Sequence, residues 1–180
     1  MSTESAAADF IKKFEGYISS PMWDVNAYRI GYGSDTITNP DGSYRKVLPT
    51  DITTPKDAQR DLERRISSEF IPLVIKKIGA EGWSKLSEGA QVALISIAYN
   101  YGTVPHANIR AAAKSGNEAL LASIWTKETY NDNKKLPENM RNALRARRAA
   151  EASLMMQGKK KIALIAGIGL TALGIYLYNR

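Results

Sequence analysis

The chain has no cysteine and only one histidine, His106, among its 180 residues. Without cysteine there can be no disulfide, no thiolate nucleophile and no cysteine-ligated zinc. A single histidine all but excludes a histidine-based catalytic triad or a histidine-rich metal centre. We therefore expect neither a metal nor a cofactor, and carboxylates remain as the candidates for acid–base chemistry.

Acidic residues are missing from the last part of the chain. The formal net charge is +7, and positions 159–180 hold three lysines and one arginine but no acid. The preceding residues carry 21 basic and 18 acidic side chains, a net charge of +3. Nucleic-acid binding usually needs a denser basic patch, so we expect no nucleic-acid partner. A mild excess suits an anionic wall or membrane surface, and equally serves ordinary solubility.

Polar residues are also nearly absent from segment 162–178, IALIAGIGLTALGIYLY, where Thr171 is the one conventional polar group. A helix of this length spans about 25 Å, near the short end for a membrane crossing. Lysines before it and tyrosines within its end are typical membrane flanks. We predict a folded domain of residues 1–158 and a C-terminal transmembrane anchor of residues 159–180, with a buried helix as the alternative. Its small residues, spaced four apart, would allow the anchor to self-associate.

The pattern of residues 1–158 predicts an α+β fold with a small antiparallel β lobe and a mainly helical lobe. Residues 5–14 have the apolar spacing of a short helix, and residues 16–50 are rich in turn-forming types. We predict strands near 27–32 and 44–48. Thr54 and Pro55 should open a helix that Pro72 kinks or breaks. Further helices are expected at 87–102, 107–114, 117–128 and 137–156.

Two acids near the start, Glu15 and Asp24, are the candidate catalytic groups. Glu15 ends the first helix and Asp24 enters the sheet, so the two could face each other across a cleft between the lobes. A partly dry carboxylic acid can donate a proton near neutral pH. Two carboxylates about 6.5–9.5 Å apart leave room for the water of an inverting glycosidase. Their spacing alone is equally consistent with solvated surface acids. Aromatic residues could offer flat faces to sugar rings: Trp23, Tyr28, Tyr32, Tyr99 and Tyr101.

Three motifs, the first of which has two parts, add a more specific signal through their order. FIKKFEG at 10–16 precedes AYRIGYGS at 27–34; QVALISIAYNYG follows at 91–102 and LRARRAAEASL at 144–154. Together they resemble the phage-type lysozymes, the endolysin family of peptidoglycan hydrolases. The resemblance implies a lysozyme-like fold over about residues 5–156. It also implies cleavage of the bond between N-acetylmuramic acid and N-acetylglucosamine in bacterial peptidoglycan.

The resemblance assigns roles to individual residues. Glu15 matches the general acid, and Asp24 stands where the second carboxylate orients the attacking water. Arg29 replaces the family's water-holding threonine, and Ser34 replaces the histidine that often follows the second glycine. Arg29 would either bind a substrate carboxylate or lactyl group, or pair with Asp24. The full set of expected substrate-binding residues is Arg29, Tyr28, Tyr32, Ser34, Asn100 and Tyr101. Arg147, Arg148 and Glu151 are expected to form a structural ion-pair network.

The departure at Arg29 keeps several functions open. A lytic transglycosylase would cut the same bond with Glu15 alone, because the sugar's own 6-hydroxyl replaces water. A non-catalytic protein of a virus particle that binds wall or membrane is the alternative of another class. The N-terminal residues 1–10 lack the features of a secretory signal. We therefore expect a single-pass protein of a virion membrane, with the host inner membrane as the alternative.

Overall fold

The computed structural model describes residues 2–129 and 134–157. Within these two ranges, no helix combines the length and the apolar character needed to cross a membrane. The anchor expected at 159–180 lies outside the described residues, so it stays a prediction.

Helices form most of the described chain, as expected. In chain order they are α1 (Thr3–Ile11), α2 (Pro55–Arg65), α3 (Ile71–Ile78), α4 (Ala80–Lys85), α5 (Glu88–Tyr101), α6 (Ala107–Ser115), α7 (Glu118–Thr129) and α8 (138–157). Thr54 caps α2 through its hydroxyl, which accepts the N–H of Asp57 at 3.1 Å. Pro72 lies in the first turn of α3, which directly continues a helical backbone, so its missing N–H removes a helical hydrogen bond and its ring crowds the preceding turn. The irregularity comes one turn earlier, as a π-helical segment that joins α2 to α3.

The β lobe contains two small sheets, whereas the sequence predicted one. The strands are β1 (Ile18–Asp24), β2 (Ala27–Gly31), β3 (Thr36–Thr38) and β4 (Tyr44–Lys46). β1 pairs with β2 and β3 with β4, both antiparallel, so the two predicted strands belong to different sheets. The β1–β2 register is irregular between Ile18 and Met22, a stretch that contains Pro21. Proline has no N–H for the ladder, which is why it is found at such bulges.

Helix α5 runs through the centre of the helical lobe. Ala90, Leu94 and Ile97 are fully buried in it, and α1 and α3 pack against it. Gly89 allows an especially close approach to α8, because a side chain there would overlap the backbone carbonyl of Leu154. Burial of this helix on all sides explains its continuous apolar sequence.

A buried acid, Asp61 of α2, fastens the β lobe to the helices. Its carboxylate accepts hydrogen bonds from Ser34 at 2.5 Å, Thr36 at 3.1 Å and Thr38 at 2.6 Å. Arg64 lies beside it, at 3.4 Å. Because a buried carboxylate needs such donors, these hydroxyls fix the position of β3 on α2.

Candidate active site

A cleft of about 740 Å³ opens between the β lobe and the helical lobe. Four of the predicted site residues line it: Glu15, Asp24, Arg29 and Asn100. Trp23 and Tyr99, two of the aromatic residues expected to face sugar rings, also line it, together with Arg65 and Phe70, which the sequence did not single out. The fold thus brings both candidate carboxylates to one concave surface.

Glu15 reaches the cleft because helix α1 ends just before it. Its backbone N–H still bonds to the carbonyl of Ile11 at 3.1 Å, which holds it in the turn that leaves the helix. Its side chain is about one quarter exposed, and Oε1 accepts a hydrogen bond from Nη1 of Arg147 at 2.7 Å. Among the described residues, Oε2 receives no hydrogen bond, so this oxygen is the one that can carry a proton.

Arg147 connects Glu15 to the centre of the helical lobe. Its side chain is 4% exposed; Nε donates to the hydroxyl of Ser96 and Nη2 to the carbonyl of the same residue, both at 3.2 Å. Nε also lies 3.5 Å from a carboxylate oxygen of Glu151. This buried framework gives Glu15 a fixed partner rather than a mobile surface cation.

Glu151 is the buried acid behind Arg147. It accepts hydrogen bonds from Ser96 at 2.6 Å and from the indole N–H of Trp125 at 2.9 Å, and it pairs with Arg148 at 3.2 Å. Burial raises the pKa of Glu151 above its ordinary value, although these neighbours favour the ionised form. The predicted structural network is therefore present, but the sequence missed that Arg147 extends it to Glu15.

Asp24 sits at the tip of the β1–β2 hairpin. Its side chain is 59% exposed, and Nε of Arg29 is 3.7 Å from Oδ2. The next residue, Val25, has a φ of 48°, and the N–H of Asn26 bonds to the carbonyl of Asp24. A β-branched residue rarely adopts such a φ, so the turn that presents Asp24 is strained.

Arg29 lies between two acids on the β-lobe side of the cleft. Besides Asp24, its Nη1 is 3.6 Å from Asp35. Partial burial opposes the charge of Asp35, but a hydrogen bond from Lys46 and the nearby charges of Arg65, Lys46 and Arg29 outweigh it. The pKa of Asp35 is therefore held below its ordinary value, and this carboxylate stays ionised behind Arg29.

Trp23 is the aromatic side chain that the hairpin offers to the cleft. It is 60% exposed and meets the ring of Tyr28 edge-on, with centroids 5.1 Å apart. Tyr28 itself is not among the cleft-lining residues, so it supports Trp23 from the side.

The other predicted substrate contacts are turned away from the cleft. Ser34 is buried against Asp61, and Tyr32 packs its ring on Tyr17. The hydroxyl of Tyr101 donates to the carbonyl of Thr129 at 3.1 Å. The sequence placed these residues near the site because they belong to the motifs. Tyr32 and Ser34 lie in the turn after β2, and contacts with distant partners hold their side chains, and that of Tyr101, outside the cleft.

Asn100 and Tyr99 close the cleft on the helical side. Oδ1 of Asn100 accepts a hydrogen bond from Arg148 at 3.1 Å, which leaves its amide N–H groups for the cleft. The hydroxyl of Tyr99 donates to the carbonyl of Tyr32 at 2.6 Å, and burial raises the pKa of this phenol. Tyr99 therefore lines the cleft as an uncharged side chain.

Across residues 2–129 and 134–157, no group of three metal-binding side chains comes together.

This combination of a two-lobed α+β fold and a cleft with two carboxylates defines a lysozyme-like glycosidase. The model of the family described as "Phage lysozyme" matches residues 12–151, and the chain belongs to this family. Its members degrade peptidoglycan, which makes peptidoglycan the substrate of this enzyme.

Solved structures share the fold at low sequence identity. The endolysin from Escherichia coli O157:H7 phage FAHEc1 is 23% identical, with a TM-score of 0.62 over 86% of this chain and 93% of the other. The muramidase domain of SpmX from Asticaccaulis excentricus is 20% identical, with a TM-score of 0.60 over 83% and 94%. The active form of the P1 phage endolysin Lyz is 21% identical, with a TM-score of 0.57 over 84% of each chain. No curated protein sequence matches the chain.

Proposed function

We propose that the enzyme is a muramidase that hydrolyses the bond between N-acetylmuramic acid and N-acetylglucosamine. The observation that carries this proposal is the position of Glu15, which a buried arginine holds in the same cleft that Asp24 lines. The two acids have different surroundings, since Glu15 bonds to Arg147 and Asp24 is largely solvated. Different surroundings suit an acid and a base with separate tasks.

The proposed reaction assigns one proton transfer to each carboxylate. Protonated Glu15 gives its proton from Oε2 to the glycosidic oxygen, and the bond from this oxygen to the anomeric carbon breaks. A water attacks that carbon from the opposite face and passes a proton to Asp24. Proton exchange with solvent then restores both groups, and the product has an inverted anomeric centre.

Lytic transglycosylation is the second candidate, because Arg29 occupies the position of the family's water-holding threonine. In that reaction the 6-hydroxyl of the muramyl sugar attacks the anomeric carbon instead of water. Glu15 would first protonate the leaving oxygen and then, as a carboxylate, accept the proton of the 6-hydroxyl. The product is an anhydro-muramyl sugar, and Asp24 has no required role.

Mass spectrometry of muropeptides released from purified peptidoglycan tests both candidates. Full-length protein in a mild detergent should release reducing-end products if it is a hydrolase. Products lighter by one water would identify a transglycosylase. Glu15→Gln should abolish release in either case, whereas Asp24→Asn should abolish only hydrolysis. If folded wild-type protein releases nothing, the proposal of a muramidase is wrong.

We also propose that the enzyme is anchored in a membrane through Ile162 to Tyr178, and that this membrane belongs to a virus particle. The support is the apolar sequence with its lysine flank, combined with the phage lysozyme family of the body. Membrane flotation with and without residues 159–180 tests the anchor. Detection only in host inner membranes, and never in purified particles, would contradict the virion location.

A further inference from the structure

The arginines of the β lobe and of the adjoining helix α2 differ in how their donors are used. Arg45 binds both oxygens of Asp51, at 2.7 and 2.8 Å, and Arg65 donates to Glu69 at 3.0 Å. Arg29 has two ion pairs, at 3.7 and 3.6 Å, both too long for a hydrogen bond. Among the residues that the structure describes, it donates no hydrogen bond.

Arg29 is nevertheless held in place. It lies on β2, its side chain is only 28% exposed, and Asp24 and Asp35 flank its charge on two sides. Asp35 is itself fixed by Lys46 at 2.5 Å. A guanidinium has five N–H donors in a rigid fork, so Arg29 points a preorganised and unused set of donors at the cleft.

The chemistry of these donors selects a ligand. A guanidinium matches a carboxylate through two parallel N–H···O bonds, and such charge-assisted bonds are stronger than bonds between neutral groups. In peptidoglycan the muramyl sugar carries a lactyl group that ends in a carboxyl, which is either free or linked to a stem peptide with carboxylates of its own. Polymers of N-acetylglucosamine alone have no carboxylate.

We propose that Arg29 is a specificity-determining residue that binds a carboxylate of the glycan substrate, on the lactyl group or on the stem peptide. This inference rests on the proposed function, because it takes the muramyl glycan as the ligand of the cleft. On this proposal, the arginine that stands in place of the family's threonine serves to recognise the substrate. The unused donors of Arg29 thereby gain partners when the substrate binds.

Binding measurements in a Glu15→Gln background test this role, because the ligand then stays intact. Full-length protein in detergent is titrated with peptide-free glycan strands, with the same strands after conversion of their carboxylates to methylamides, with strands that carry stem peptides, and with N-acetylglucosamine oligomers. Arg29→Gln should weaken binding of a carboxylate-bearing glycan by roughly tenfold or more. It should leave the methylamide strands and the neutral oligomers unchanged. Arg29→Lys, which keeps the charge but loses the fork, should give an intermediate loss.

Two comparisons identify the carboxylate and control for structure. A loss seen with peptide-free strands assigns the lactyl carboxylate, and a loss confined to stem-bearing strands assigns the peptide. Arg45→Gln removes a β-lobe arginine that does not line the cleft and should change no affinity. Equal weakening of all four ligands by Arg29→Gln would overturn the proposal, as would wild-type affinity for every ligand. Release of muropeptides by the enzyme with Glu15 intact reports separately on the proposed function.

Discussion

Replacement of Arg147 by lysine tests two roles of this residue, which are to orient Glu15 and to stabilise the fold. Lysine keeps the positive charge, but its single nitrogen cannot reach Glu15 and both acceptors of Ser96 together. With two hydrogen bonds lost, at about 0.5–1.5 kcal/mol each, we expect the free energy of unfolding to fall by roughly 1–3 kcal/mol. Urea unfolding followed by tryptophan fluorescence, to which buried Trp125 contributes, measures this loss.

The same replacement should also lower kcat. Without the fork of Arg147, Glu15 is free to leave the orientation that points Oε2 at the glycosidic oxygen. A misplacement of this kind costs about 10- to 100-fold in rate, or roughly 1.4–2.8 kcal/mol in the activation barrier. The rate of muropeptide release at saturating peptidoglycan fragments measures the change, and KM should change little.

Arg148→Lys provides the matched control. Arg148 is as buried as Arg147 and contacts Asn100 and Glu151, but it does not touch Glu15. We expect a comparable loss of stability and a much smaller loss of kcat. If both variants lose the same fraction of kcat, or if Arg147→Lys keeps full activity, then Arg147 does not position the acid.

Three other changes test separate parts of the structure. Val25→Gly should raise the free energy of unfolding by roughly 0.5–1 kcal/mol, because relief of the positive φ exceeds the entropy cost of glycine, and lower stability in urea would contradict the strained turn. Asp35→Asn should be less stable than wild type at pH 7, and this difference in the free energy of unfolding should shrink as the pH falls below about 4. Because the pKa of Asp35 is lower in the folded state than in the unfolded state, ionised Asp35 stabilises the fold above the unfolded-state pKa, and this stabilisation is lost as the pH falls through the folded-state pKa. A gap that is independent of pH would show that the ion pairs of Asp35 are not its source. Gly89→Ala should destabilise the fold by about 2 kcal/mol, because overpacking against the backbone of Leu154 outweighs the better helix propensity of alanine. A stability equal to wild type would show that α5 and α8 can move apart without loss of stability.

Several parts of the fold could be predicted because their causes are local. Thr54 caps α2 with its own hydroxyl, and Gly102 ends α5 in a left-handed conformation. The turn NPDGS closes between β3 and β4, where the N–H of Asn39 bonds to the carbonyl of Ser43. Each of these contacts joins residues within a few positions, so residue type alone is informative.

Other features could not be predicted from the sequence, since they depend on distant partners. Ser34 follows the glycine motif of the cleft, yet its hydroxyl turns inward because Asp61, 27 positions away, needs donors. The division of the β lobe into two sheets was equally hidden, because strand pairing depends on register and not on the strands alone.

Residue types and their order are enough to predict the class of this enzyme: a short helix just before Glu15, a second acid nine positions later and the order of three motifs. Local periodicity and residue type are enough to predict these features. Burial of the apolar face of the helix in the core fixes where the helix ends, and therefore where the acid that follows it lies. What holds that acid in place depends on the tertiary structure. Arg147 lies 132 positions from Glu15, and the two meet because α1 and α8 both pack on α5, where the buried charge of the arginine requires a carboxylate.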